Sequence, residues 1–301
     1  MIGGDRLGDL SVLDGRTWDA VFDLATIAPL WVRRLGEALE GRVGRYLFVS
    51  TISVYADHAA DPDGIDESGA LLTFPSDADP FAPDAAGYGD LKGIAEEEAE
   101  RWFPARTFVA RPGAIVGPRD AIGAFSYWPY RILNGGEILV PGDPDAPVQF
   151  IDVRDLAEWM VRCAEAGTTG VYNAIGPAAP MKWGEMVHRI ATAVDAACEL
   201  TWVPGAWIAA RGLPGWDNLH FWTREALAPG LMRSRNERAI AAGLTFRPVE
   251  RTAVDVLEWM DNLPSMLDAA LLPLRPGLSY AQSLAAESAL LDSWKIEAPQ
   301  E

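Results

Sequence analysis

Tyr88-Gly-Asp-Leu-Lys92 sets a phenol and an amine four residues apart, just before a strongly helical segment. On a helix, positions i and i+4 share a face about one turn apart. A lysine held there stabilises the phenolate, which makes the tyrosine a usable general acid or base near neutral pH. The chain contains three lysines (Lys92, Lys182 and Lys295), so this pairing is hard to reach by accident. Taken alone, the motif also fits an ordinary surface tyrosine and lysine. Upstream, Tyr46-Leu-Phe-Val-Ser50 reads as an apolar strand that delivers Ser50 and Thr51 at its carboxyl end, where open α/β sheets bind ligands.

These residues need a scaffold, and the pattern of apolar residues supplies one. Residues 19–25, Asp-Ala-Val-Phe-Asp-Leu-Ala, read as a buried strand, and Leu30, Trp31, Leu35, Ala38 and Leu39 follow at helical spacing. After the strand at 46–50 comes a stretch, 57–87, rich in Asp, Pro, Gly and Ser. A loop of that length in a compact domain is often a lid or a substrate-contacting segment. The helix beginning near Tyr88 runs through Glu96-Glu-Glu-Ala-Glu100, whose acids read as a solvated face. Arg106-Thr-Phe-Val-Ala-Arg111 is the next strand, closed by Pro112-Gly113. Alternating strands and helices predict a parallel sheet with right-handed crossovers.

Beyond Gly113 the rhythm changes. A Trp/Tyr-bearing helix is expected over 124–134, short strands at Glu137–Val140 and Val148–Ile151, a helix at 153–166 and a strand at Gly170–Ala174. From Met181 on, helices are expected to dominate, at Glu237–Ala242, Val249–Met260 and near Tyr280–Trp294. The predicted fold class is α/β, with a parallel sheet domain over 1–112 to which 148–175 return. Residues 113–147 and 176–301 form a smaller, mostly helical substrate domain.

Asp and Glu outnumber Lys and Arg by 43 to 25, a formal charge of −18. Such a surface repels phosphate backbones and anionic membranes, which argues against nucleic acid or membrane as a partner. Cys163 and Cys198 offer neither a disulfide framework nor zinc spacing, and His58, His188 and His220 form no metal-ligand pattern. With no secretory apolar segment at the N-terminus and no run of 18 apolar residues, a cytoplasmic protein is the expectation.

The ordered set of Asp19-Ala-Val-Phe-Asp-Leu-Ala25, Thr51, Tyr88-x-x-x-Lys92, Ala110-Arg-Pro-Gly-Ala-Ile-Val-Gly-Pro118, Gln149-Phe-Ile-Asp-Val-Arg-Asp-Leu-Ala157 and Val171-Tyr-Asn-Ala-Ile-Gly176 resembles the extended short-chain dehydrogenase/reductase family, the NAD-dependent epimerase/dehydratase group. The pieces span most of residues 4–176. The resemblance implies a Rossmann-like domain, an NAD or NADP cofactor, a small hydroxyl or carbonyl substrate, and by analogy a homodimer. Residue by residue, it implies that Thr51 hydrogen-bonds the substrate oxygen and that Tyr88 transfers the proton. Lys92 would support Tyr88 and hold the nicotinamide ribose. Asp5, with Arg6 beside it, would sit near adenine, Leu24, Ala25 and Thr26 would line the cofactor, and Pro112, Gly113 and Ala114 would approach the nicotinamide.

Each assignment has a plainer counterpart. Thr51 suits a turn cap, and Asp5 an N-terminal turn. Trp128, Tyr130 and Arg131 could line a substrate pocket, but an aromatic stripe is more often core. Arg154 and Asp155 read as an ion pair or helix cap, and His58 as an exposed loop residue. The family's Gly-x-x-Gly-x-x-Gly turn, which holds the pyrophosphate at a helix N-terminus, is not found. The chain reads as an N-terminally truncated form starting near the end of the third strand, which leaves the strand at 19–25 with an unpaired apolar edge. Cofactor binding is therefore expected to be weakened or lost. Either the true product starts upstream, which the intact Tyr88 and Lys92 favour, or the scaffold has turned to non-redox work as a regulatory binding module or a cofactor-independent isomerase.

Overall fold

The computed structural model describes residues 3–24, 27–82, 85, 87–120, 123, 125–211, 230–261 and 280–298. In chain order the elements are β1 (Trp18–Asp23), α1 (Pro29–Leu39), β2 (Val43–Val49), α2 (Gly89–Trp102), β3 (Thr107–Pro112), β4 (Ala114–Val116) and α3 (Tyr127–Leu133). They continue with β5 (Gly136–Pro141), β6 (Pro147–Asp152), α4 (Val153–Ala166), β7 (Gly170–Ala174), β8 (Gly176–Lys182), α5 (Trp183–Val194) and β9 (Cys198–Val203). The last are α6 (Gly205–Ala209), α7 (Glu237–Ala241), α8 (Val249–Asp261) and α9 (Tyr280–Glu297). Two compact units result: Met1–Gly113 with Asp155–Ala178 and Arg233–Thr245, and Ala114–Arg154 with Ala179–Met232 and Phe246–Glu301. The return to the first unit thus begins at Asp155 rather than at 148, and residues 233–245, read as part of the helical domain, also join the first unit.

The first unit is built on a parallel sheet in the order β1-β2-β3-β7. Strand β2 forms because Tyr46, Leu47, Phe48 and Val49 are all buried, as a strand covered on both faces requires. On one face Val32, Leu35 and Leu39 of α1 pack with Tyr46, Phe48, Ala95 and Ala99 into one core. On the other, Trp159 of α4 meets Phe108 and Tyr172 edge-on at 5.1 and 5.8 Å. Among the described residues no strand pairs with the outer edge of β1, and Phe22 and Leu24 are 39% and 64% exposed there.

The second unit holds a sheet ordered β4-β6-β8 and a separate parallel pair, β5 with β9. Its core joins Trp128 of α3, Trp183 of α5 and Val256 of α8. Strand β9 and the last two residues of β8 lie where helices were expected to dominate. Trp128 is fully buried against Trp183, with ring centroids 4.7 Å apart, and is core. Arg131 is buried too, bound to Glu287 at 2.7 Å and to the carbonyls of Gly135 and Glu137. Tyr130 packs at the margin of the same core. Arg154 pairs with Asp152 at 2.6 Å and with Asp255, while its backbone N–H donates to Asp152 at the start of α4. Arg154 was expected to pair with Asp155 or to cap a helix; among the described residues its ion-pair partners are instead Asp152, from the end of β6, and Asp255, from α8.

Candidate active site

Tyr88 is the residue immediately before α2, and its carbonyl accepts the Lys92 backbone N–H at 2.9 Å, so the i to i+4 spacing is a true first helical turn. Two glycines make this placement possible. Gly87 has φ of 140°, open to glycine at no steric cost. At Gly89 a Cβ would lie 1.9 Å from the Ser53 carbonyl oxygen, so only glycine lets the start of α2 press against the turn that carries Thr51.

Around this turn the side chains divide between solvent and interior. The Tyr88 ring is 49% exposed. Lys92 is buried, its ammonium donating to the Val49 carbonyl at 2.6 Å and lying 4.7 Å from the centre of the Phe48 ring. Thr51 is buried, and its Oγ1 accepts the Ser53 backbone N–H at 3.1 Å, the turn-capping bond of the plainer reading. Among the described residues no hydrogen bond joins the Tyr88 hydroxyl to Thr51 or Lys92. The three lie on adjoining elements, with Tyr88 facing outward and Lys92 held underneath.

Burial lowers the Lys92 pKa to about 8, opposed by the charges of Asp23 and Glu96. An unfolded lysine titrates near 10.4, so between about pH 8 and that value the unfolded chain binds more protons than the folded one, and stability rises with pH. Tyr46, whose hydroxyl is pushed up by burial and by Asp23, acts in the opposite sense above its ordinary range near pH 10. Urea unfolding should therefore show a gain of about 1–2 kcal/mol from about pH 8 to about pH 9.5, and the gain should vanish in Lys92→Met. A flat wild-type profile over that window would contradict the burial of a titrating Lys92.

Of the acids expected on a solvated face of α2, Glu97 and Glu100 are exposed and Glu96 and Glu98 are not. Glu96 and Glu98 are buried because each has cationic partners. Glu98 accepts from Arg33 and Arg101 at 3.1 Å each. Glu96 accepts the Ser50 hydroxyl and is gripped by Arg111 at 2.6 and 3.0 Å. Arg111 also donates to the Tyr55 hydroxyl at 3.0 Å, which in turn donates to Asn173 Oδ1 at 2.6 Å. Glu67 accepts the Asn173 backbone N–H at 2.7 Å and so ties the long loop to β7. This network under the strand ends went unread in the sequence. Helical spacing carries a signal for it, since Glu96 shares the face of Leu91, Lys92, Ala95 and Ala99.

The remaining candidates are placed as follows. Asp5 accepts the Leu7 N–H at 2.9 Å within its own turn. Arg6 binds the fully buried Asp23 carboxylate through two N–H groups at 2.7 and 2.9 Å, and Tyr46 donates to the same carboxylate at 2.6 Å. Leu24 is exposed beyond β1, whereas Ala25 and Thr26 lie outside the described residues. Pro112 ends β3, Gly113 follows it against Ile175, and Ala114 opens β4 in the second unit. His58 is half-buried rather than exposed, with its ring edge-on to Tyr55 at 5.9 Å and its pKa lowered by burial.

A model described as the NAD dependent epimerase/dehydratase family matches residues 21–175. The chain belongs to this family. It is an enzyme of the NAD(P)-dependent kind, and its parallel sheet is the Rossmann sheet of that family. Among solved structures of similar fold is RMD from Pseudomonas aeruginosa complexed with NADPH, at 22% identity and a TM-score of 0.55, covering 81% of this chain and 82% of that one. UDP-glucuronic acid 4-epimerase from Bacillus cereus in complex with NAD matches at 16% identity and 0.55, over 87% and 80%. The dTDP-4-dehydrorhamnose reductase of Bacillus anthracis, in complex with NADP, matches at 15% and 0.53, over 76% and 70%. No curated protein matches the chain in sequence. Among the described residues no helix is long and apolar enough to cross a membrane.

The family's cofactor fits one end of the site better than the other. The Lys92 ammonium has three N–H donors and, among the described residues, spends one on Val49, so the others could serve the hydroxyls of a ribose. The Gly-x-x-Gly-x-x-Gly turn that would bring backbone N–H groups against a pyrophosphate is not found in residues 1–301. Asp5 and Arg6 are already engaged, in a turn and with Asp23.

Proposed function

We propose that this family member is an oxidoreductase or epimerase acting on a small hydroxyl or carbonyl substrate of sugar-like character, with Thr51, Tyr88 and Lys92 as its catalytic set. The observation that carries the reading is a half-exposed phenol one helical turn before a buried ammonium that, among the described residues, donates only to the Val49 carbonyl. Tyr88 holds or gives the proton at the substrate oxygen. Lys92 stabilises the phenolate from below and binds the ribose. Thr51, at the end of β2, donates its hydroxyl hydrogen to the same substrate oxygen while its own Oγ1 keeps the Ser53 bond. A nicotinamide would supply hydride chemistry when bound, and Pro112 and Gly113, at the end of β3, would approach it. The sugar-like class is supported by the names of the UDP-glucuronic acid epimerase and the dTDP-4-dehydrorhamnose reductase. Cytoplasmic residence, homodimerisation and lack of nucleic-acid binding belong to the same proposal, the last supported by the charge of −18.

Because residues 1–301 contain no Gly-x-x-Gly-x-x-Gly turn, dinucleotide binding by them is expected to be weak. In a fluorescence titration with NADPH, the dissociation constant should be about 1 mM or weaker, and micromolar affinity would refute the weakened-binding part of the proposal. Turnover is sought separately, at saturating NAD+ or NADPH, with UDP- and dTDP-linked sugars. Oxidation, reduction or epimerisation of one of them is expected. Failure with every pair would overturn the oxidoreductase or epimerase reading.

A further inference from the structure

Lys92 and Glu96 lie one turn apart on the sheet-facing side of α2, and adjacent residues at the end of β2 hold them. The ammonium sits on the Val49 carbonyl at 2.6 Å, and the Glu96 carboxylate accepts the hydroxyl of Ser50. The charged and titratable groups around this spot come from every packed element. From β1 comes Asp23, with Arg6 on it at 2.7 Å, and from β2 comes Tyr46, which donates to Asp23. From β3 comes Arg111, which binds Glu96 at 2.6 Å and reaches Tyr55. Glu96 and Tyr88 belong to α2 and the residue before it. Glu96 follows Lys92 by one turn of α2, and Asp23 pairs in register with Phe48, over whose ring the ammonium lies. An ammonium over the Phe48 ring, away from water, would otherwise shed its proton readily.

We infer that Asp23 and Glu96 form an anionic bracket that keeps the buried Lys92 protonated, which makes them positioning residues for the Tyr88–Lys92 pair. The inference rests on the reading of that pair given above. A neutral amine would neither stabilise a phenolate nor present the same donors to a ribose, so the bracket sets the pH range over which the site is charged for work. Arg6 and Arg111 hold the two carboxylates in place and moderate their charge.

The low lysine count makes a direct test practical. The full chain carrying lysine labelled with carbon-13 at Cε gives three lysine signals, from Lys92, Lys182 and Lys295. Lys182 and Lys295 are exposed, and ion pairs with Asp145 and Glu137 push them up, so only Lys92 titrates near pH 8. In Glu96→Gln the Lys92 midpoint should fall by about half a unit or more. Glu98→Gln, which alters a buried acid held by Arg33 and Arg101 instead, should leave it in place. Unfolding would move the signal the opposite way, toward about 10.4. In that event Asp23→Asn gives the same reading from the other side of the bracket. An unchanged midpoint in folded Glu96→Gln or Asp23→Asn would overturn the inference. Because the readout is the charge of one lysine without cofactor or substrate, that failure would leave the roles of Tyr88 and Lys92 standing.

Discussion

Tyr88→Phe should lower kcat/KM by about 10²–10⁴-fold, the usual worth of a positioned general acid or base. The thermal midpoint should not move. The ring is 49% exposed, and among the described residues its hydroxyl makes no hydrogen bond, so removing one oxygen leaves the fold nothing to lose. This separates chemistry from stability more cleanly than any change at Thr51 or Lys92, both of which are buried and bonded to backbone. Turnover of the nucleotide sugar found by the cofactor-saturated assay, measured beside a melting curve, checks it. Full turnover in Tyr88→Phe would remove this phenol from the reaction.

A different kind of loss is expected at Arg111, where the damage is to the fold. Arg111→Met should cost about 3–5 kcal/mol, the usual penalty for leaving one member of a buried ion pair without its partner. Arg111 and Glu96 are 4% and 7% exposed. The guanidinium also holds the Tyr55 hydroxyl at 3.0 Å, so the variant strands a carboxylate and weakens a phenol at once. The double variant Glu96→Gln with Arg111→Met should be less damaged than the single one, because the stranded charge is then gone. Urea unfolding of the three proteins measures this. A loss under about 1 kcal/mol in Arg111→Met would show that the pair contributes little.

Much of the scaffold was legible because burial on both faces leaves an unbroken apolar run, as in Tyr46–Val49, and because helix stops are chemically marked. The helix at 153–166 matches its expected bounds, with Asp152 accepting the Arg154 N–H at one end and Gly167 following the other. Strand β8 was illegible for the converse reason. Gly176-Pro-Ala-Ala-Pro-Met-Lys182 carries two prolines, which remove ladder donors, and it survives as a strand at the end of its sheet order. In the site, Tyr88 and Lys92 could be read because four residues of spacing is a local property. Asp23 and Arg111 could not. Their partners lie 17 and 15 residues away along the chain, and only the folded sheet brings them together. Glu96 was hidden by its neighbours, since a run of acids looks like a wet surface unless the helical face is followed residue by residue.

The outer flank of β1 has a colloidal consequence. A rim of backbone groups with Phe22 and Leu24 beside it is a template on which a stray extended chain can be laid down. Two copies approaching rim to rim each bring a formal charge of −18, and that mutual repulsion guards an edge that no strand among the described residues pairs with. Concentrated salt, which shortens the reach of the field, lifts the guard.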